Sequence, residues 1–116
     1  MSEQNAVIET PKVQRPKVQP QNKPKRQPPY SVVVLNDDDH TFEYVIEGLM
    51  RFCGHGFEKA FVLASVVHRT GRAAVWTGTM EVAELKRDQL RGMGPDFYAP
   101  KLVTYPLGVT LEAMPQ

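Results

Sequence analysis

Four consecutive apolar residues, Val32 to Leu35, follow Tyr30 and Ser31 and stop at Asn36, Asp37, Asp38, Asp39 and His40. Valine and leucine fit a pleated surface, and four in a row leave no polar face. The run therefore predicts a sheet strand, buried or at an edge, over 30–35, with the polar residues held as a turn at the rim of a core. From Thr41 the pattern changes period. Phe42, Val45, Ile46, Leu49 and Met50 recur at the spacing of one helix face, Thr41 is a plausible N-cap, and Glu43 complements the positive end, predicting an amphipathic helix to about Phe52. Gly54 and Gly56, on either side of His55, break it.

A second helix is predicted from Phe57 to Arg69, ending at Thr70 and Gly71, where glycine suits a C-cap. Its apolar residues wrap more than half the circumference, from Phe57 and Ala60 through Phe61, Val62, Leu63 and Ala64 to Val66 and Val67, so burial on two sides is expected, against the first helix and the sheet. Residues 72–77 read as a short strand weakened by two alanines. Thr79 then caps a third helix, with Glu81 in its first turn, that runs to Arg91 with a strongly charged outer face. Gly92, Gly94 and Pro95 end it and open a loop to Tyr105 that carries exposed aromatics, and the alternation over 107–113 closes the chain as a strand.

The order strand, helix, helix, strand, helix, strand predicts an α+β two-layer sandwich: a three-stranded antiparallel sheet with three helices on one face. The final strand-helix-strand unit suggests that the last two strands are neighbours. Composition divides the 116 residues unevenly. Residues 1–29 hold six of the ten prolines with six basic and two acidic residues, too little apolar surface to offset chain entropy, and so predict a flexible, basic, partly polyproline tail ahead of a domain over 30–116. That domain keeps 8 basic and 11 acidic groups, a net of −3 within an overall +1. The single cysteine, Cys53, cannot form an internal disulfide and fits a reducing compartment. No apolar run approaches the roughly 20 residues of a membrane span, and no signal-peptide pattern opens the chain, so a soluble cytoplasmic protein is expected.

The chemistry sits in a few places. Asn36 to His40 reads equally as a turn whose side chains satisfy backbone amides and as a recognition cluster held by two rigid elements. A calcium loop needs spaced carboxylates and a terminal glutamate, whereas these carboxylates are consecutive and Gly48 stands where the glutamate belongs. Cys53, His40 and His55 lack zinc-site spacing, so neither metal nor cofactor is expected. His68 lies four residues after Ala64 and seven after Phe61 on one helix face, where a lone histidine is usually structural. Beside Asn36 and Asp37 it would complete a set of three acceptors, an amide oxygen, a carboxylate and a neutral imidazole, suited to a peptide's α-ammonium. Ser65 with His68 and Asp37 has no nucleophile elbow or oxyanion loop, so no enzyme is expected. The tail's basic residues alternate with proline and lack an aromatic stacking platform, which argues against nucleic acid.

Four motifs in order carry a resemblance: Tyr30 to Asp38, Glu43 to Glu47, Val67 and His68 followed by Thr70 to Arg72, and Thr79 to Lys86. Over 30–113 the chain resembles the ClpS family, adaptors of the ATP-dependent Clp protease. The resemblance implies a non-enzymatic adaptor, monomeric, that binds destabilising N-terminal residues (N-degrons: Leu, Phe, Tyr or Trp) and delivers the substrate to a ClpA- or ClpC-type AAA+ unfoldase. It implies that Asn36, Asp37 and His68 bind the α-ammonium and first peptide group. Asp38, Phe42, Val45, Ala64, Val67 and Leu107 would line the first side-chain pocket, Glu81 and Lys86 would dock on the unfoldase, and the tail would engage its pore. Ala64 and Phe42 both stand where methionine is common in the family, which implies a pocket with altered volume, open to Ile or Val. Residues 92–105 form a longer, more Gly- and Pro-rich link than usual. The alternative is a small structural interaction module, ribosome-associated for instance, that uses the third helix and the basic tail.

Overall fold

The computed structural model describes residues 27–115; the predicted tail falls mostly on residues 1–26, outside the described residues. The elements are β1 (Tyr30–Leu35), α1 (Phe42–Phe52), α2 (Phe57–Thr70), β2 (Arg72–Gly78), α3 (Met80–Arg91) and β3 (Val109–Ala113). Together they make the α+β sandwich that the pattern predicts, with a three-stranded antiparallel sheet.

Strand order corrects one expectation. The sheet runs β2-β1-β3, so the last two strands are not neighbours; β1 lies between them and pairs antiparallel with both. The apolar run explains why. Val32, Val33 and Val34 are each no more than 1% exposed, which only a central strand achieves, while β2 with its alanines and the short β3 serve as edges. Val32 and Val34 belong to the core beneath the helices. Val33 faces the opposite side, where Arg72 of β2 reaches Glu112 of β3 in an ion pair. These two residues pair with Leu35 and Ser31, which share Val33's face, so the ion pair spans β1 diagonally over it.

Register between β1 and β2 slips between Val32 and Val33, leaving Val75 as an extra residue on β2. Its carbonyl accepts a 2.6 Å hydrogen bond from Nε2 of His55, so the residue between the helix-breaking glycines ties the α1–α2 turn to the sheet. Thr41 caps α1 by accepting from the Tyr44 amide at 3.2 Å, and Gly71 ends α2 in the left-handed region at φ 97°, a conformation that favours glycine.

Helix α2 packs on α1 and on edge strand β2, yet only Ala60, Ala64 and Val67 are buried. The expected packing against the first helix and the sheet is present, but less of the helix is buried than its apolar pattern predicts: Phe57, Phe61 and Val62 are about half exposed. With a single helical layer and a strand of small residues beneath it, no second surface covers the outer flank. Among the described residues no helix is long and apolar enough to cross a membrane.

Candidate functional site

Strand β1 ends where α2 ends and α1 begins. The Asn36 amide donates to the carbonyl of Gly71 at 2.9 Å, extending the β1–β2 pairing by one bond, and this fastens the acidic turn against the last turn of α2, which bears His68. The result is an open groove of about 500 Å³ lined by residues 36–43, His68 and Pro100. It brings together Asn36, Asp37, His68, Asp38 and Phe42. Four carboxylates face it, from Asp37, Asp38, Asp39 and Glu43, and among the described residues no lysine or arginine does. Such a groove carries a negative potential and favours a cation.

His68 is exposed, not a core residue. Val45, Ala64, Val67 and Leu107 are at most 7% exposed within the core and do not line the groove as it stands. Phe42 is half-buried, its ring edge-on to Phe61 at 5.1 Å.

Asp37 is held from several sides. One carboxylate oxygen accepts from the amides of Asp39 at 2.8 Å and His40 at 2.6 Å, and the other lies 2.6 Å from Nδ1 of His40. Partial burial pushes its pKa up, but the His40 amide, the His40 ring and the Asp39 amide more than offset this, leaving it below the ordinary value of 3.8. Asp37 therefore stays ionised throughout the neutral range. A carboxylate offers about four acceptor positions, and three are taken, so about one remains for a ligand.

The long loop after α3 is part of this architecture. Asp96 and Val103 form an isolated bridge, and Asp96, fully buried, accepts from the Thr41 amide at 2.7 Å, the Thr41 hydroxyl at 3.0 Å and the Tyr98 amide at 2.9 Å. One side chain thus staples the loop to the start of α1. Tyr44 donates through its hydroxyl to the carbonyl of Gly94, and Tyr98 to Glu47 at 2.8 Å. At the far end Tyr105 donates to Asp39 at 2.7 Å, a bond that raises its phenol pKa well above the usual value. A second cavity of about 380 Å³, between residues 99–105 and Asp38 and Asp39, adjoins the groove. Asp39 and His40 belong to the polar cluster that the sequence places after β1 but take no role of their own from it, and Asp96 and Tyr105 carry no sequence signal short of the folded loop.

Elsewhere, Glu81 is exposed in the first turn of α3. Lys86 is partly buried, its Nζ donating to the Phe52 carbonyl at 2.7 Å and lying 5.5 Å from the centre of the Trp76 ring. Five positions apart on a helix, the two residues point about 140° apart. Burial pushes the Cys53 thiol up to about 11, with Lys86 opposing the shift, which makes it an unreactive core residue. No group of three or more His, Cys, Asp or Glu among the described residues could hold a metal ion.

A family model described as ATP-dependent Clp protease adaptor protein ClpS matches residues 25–100. Proteins named ATP-dependent Clp protease adapter protein ClpS from Nostoc sp. and Thermosynechococcus vestitus are 45% and 42% identical over 71 residues. These matches cover 60% of this chain and 73% and 76% of theirs. Among solved structures, Agrobacterium tumefaciens ClpS2 bound to L-phenylalaninamide superposes with a TM-score of 0.62 at 26% identity, covering 77% of this chain and all of the other.

Proposed function

The chain belongs to the ClpS family of ATP-dependent Clp protease adaptors, and from that premise we propose that its groove captures the free N-terminus of a substrate protein bearing a bulky hydrophobic first residue, for delivery to a Clp unfoldase. One observation carries the reading: Asn36 and Asp37, just after β1, and His68, on α2 about 30 positions later, meet at one groove rimmed by carboxylates, with no lysine or arginine among the described residues that line it. An α-ammonium supplies three donors and one positive charge, and the groove supplies acceptors and negative potential. The ligand in the Agrobacterium relative, a phenylalanine amide, has that amine and an aromatic side chain.

In this reading the carboxylate of Asp37 and the side chains of Asn36 and His68 receive the ammonium and first peptide group. Phe42 and Asp38 flank the first side chain, and Val45, Ala64, Val67 and Leu107 supply apolar backing behind them. Charge-assisted hydrogen bonds contribute about 1.5–3 kcal/mol each, and burial of a Leu or Phe side chain a similar amount. After the association penalty, two or three such bonds and one filled pocket leave roughly micromolar affinity, weak enough for cargo to be passed on. The protein acts by binding, as a monomer with no catalytic step, in the cytoplasm. Its partner is an unfoldase of the ClpA or ClpC type, met by α3 through Glu81.

The test is titration of a labelled peptide beginning with Phe beside its N-acetylated copy. Acetylation removes the charge and two donors, and should weaken binding at least about tenfold. Asn36→Ala and Asp37→Ala should each weaken the free peptide by a similar factor while leaving the fold intact. Equal affinity for the two peptides would show that the amine is not what the groove reads.

A further inference from the structure

Resting on the amine-binding reading, we propose that His40 is a positioning residue: it holds the Asp37 carboxylate in place for the ligand and makes that placement depend on the loop over 92–105. The His40 side chain is 2% exposed, although it belongs to an otherwise exposed turn. Its ring stacks on Tyr44 at 5.1 Å between centres and meets Tyr105 edge-on at 4.8 Å. Nδ1 lies 2.6 Å from the free oxygen of Asp37, and Nε2 lies 3.0 Å from the carbonyl of Tyr105. An imidazole packed this tightly, with an acceptor beside each nitrogen, has little freedom to rotate, so it holds the carboxylate that takes its Nδ1–H.

Asp37 is the beneficiary. Its first oxygen accepts from two turn amides, and its second is met by the ring of His40. That second oxygen keeps the acceptor capacity on which an ammonium would draw. Tyr105 grips the turn twice, receiving His40 at its carbonyl and donating to Asp39 through its hydroxyl, and so the loop, His40 and Asp37 form one bonded series that ends at the site. Specificity for an amine, not bulk stability, is where loss of His40 should register.

The experiment is a double-mutant cycle read by NMR titration, which measures weak as well as tight binding, with the Phe-initiated peptide and its acetylated copy. His40→Leu and His40→Gln are each made in the wild type and in Asp37→Asn, with thermal unfolding recorded for all. His40→Leu should weaken the free peptide about tenfold, and His40→Gln, which keeps one donor, about threefold; in the Asp37→Asn background each should add less than about twofold. Should His40→Leu fail to fold, the glutamine arm carries the cycle. Wild-type affinity in the folded His40 variants, or a loss of equal size in both backgrounds, overturns the inference while leaving amine capture standing. A wild type indifferent to acetylation overturns amine capture itself, and the inference with it.

Discussion

Asp37 does two jobs with one carboxylate. It closes the turn after β1 by accepting from Asp39 and His40, and it keeps a charge facing the groove. The first is what a polar turn does anywhere, so reading the cluster as a turn and reading it as a recognition site describe the same atoms. Because folding lowers the pKa of Asp37, its contribution to stability is present above about 3.8 and disappears as pH falls through the lower folded value. Asp37→Asn should therefore cost about 1 kcal/mol at neutral pH, with the gap to wild type closing on acidification below about pH 4. Urea unfolding of both proteins between pH 7 and 3 measures it, and a gap that widens in acid would contradict the assignment. Asn36, Asp37 and His68 were legible from sequence because each lies at the end of an element whose periodicity is plain. Asp96 was not: a lone aspartate in a loop of glycines and prolines reads as solvated, and only the folded loop places the three donors around it.

At the scale of elements, patterning located every helix and strand among the described residues, through helical period, β-forming runs and the glycines and threonines that bound them. What it missed concerns neighbours. Apolar residues around most of α2 predict packing on α1 and the sheet, which is present, but they do not show that the outer flank stays uncovered among the described residues, leaving Phe57, Phe61 and Val62 exposed. Strand order was equally out of reach, because adjacency in sequence favoured β2 beside β3, whereas the buried valines of β1 fit a strand with a partner on each edge. Lys86 shows the same limit. Its position in α3 matches a docking residue, yet its ammonium caps the end of α1 at Phe52 and lies against Trp76. Lys86→Ala should lower stability by about 1 kcal/mol through these two contacts. Glu81→Ala, on the exposed first turn, should leave stability within about 0.5 kcal/mol and weaken unfoldase binding. Thermal unfolding alongside binding to the isolated unfoldase separates the two; equal stability in both variants would mean the Lys86 contacts contribute nothing.

For the molecule as a whole, the division between a basic, proline-rich N-terminal segment and a mildly acidic domain sets the last prediction. Pro29 belongs with the domain, since its carbonyl accepts from the Met114 amide at 2.8 Å. Removal of residues 1–26 should leave peptide affinity within about twofold of the full chain, because no groove residue is lost, while slowing degradation of a Phe-initiated substrate by the reconstituted Clp protease. Paired peptide titration and degradation assays report both effects, and a fall in peptide affinity would place part of the site in the removed segment.

The central position of β1 also fixes when this protein can become functional. Among the described strands the one that leads into Asn36 and Asp37 comes first along the chain, and one of its two partners comes last: Tyr30 pairs with Ala113 and Ser31 with Glu112. Closing so long a loop is slow relative to forming helices, and during synthesis the β1–β3 ladder cannot form until β3 has left the ribosome. Until then β1 has one edge unpaired and Val33 lacks the cover that Arg72 and Glu112 provide. A chain that has emerged only as far as Pro100 thus holds all the described groove residues while the strand beneath them is paired on one edge alone, and capture of a substrate awaits β3.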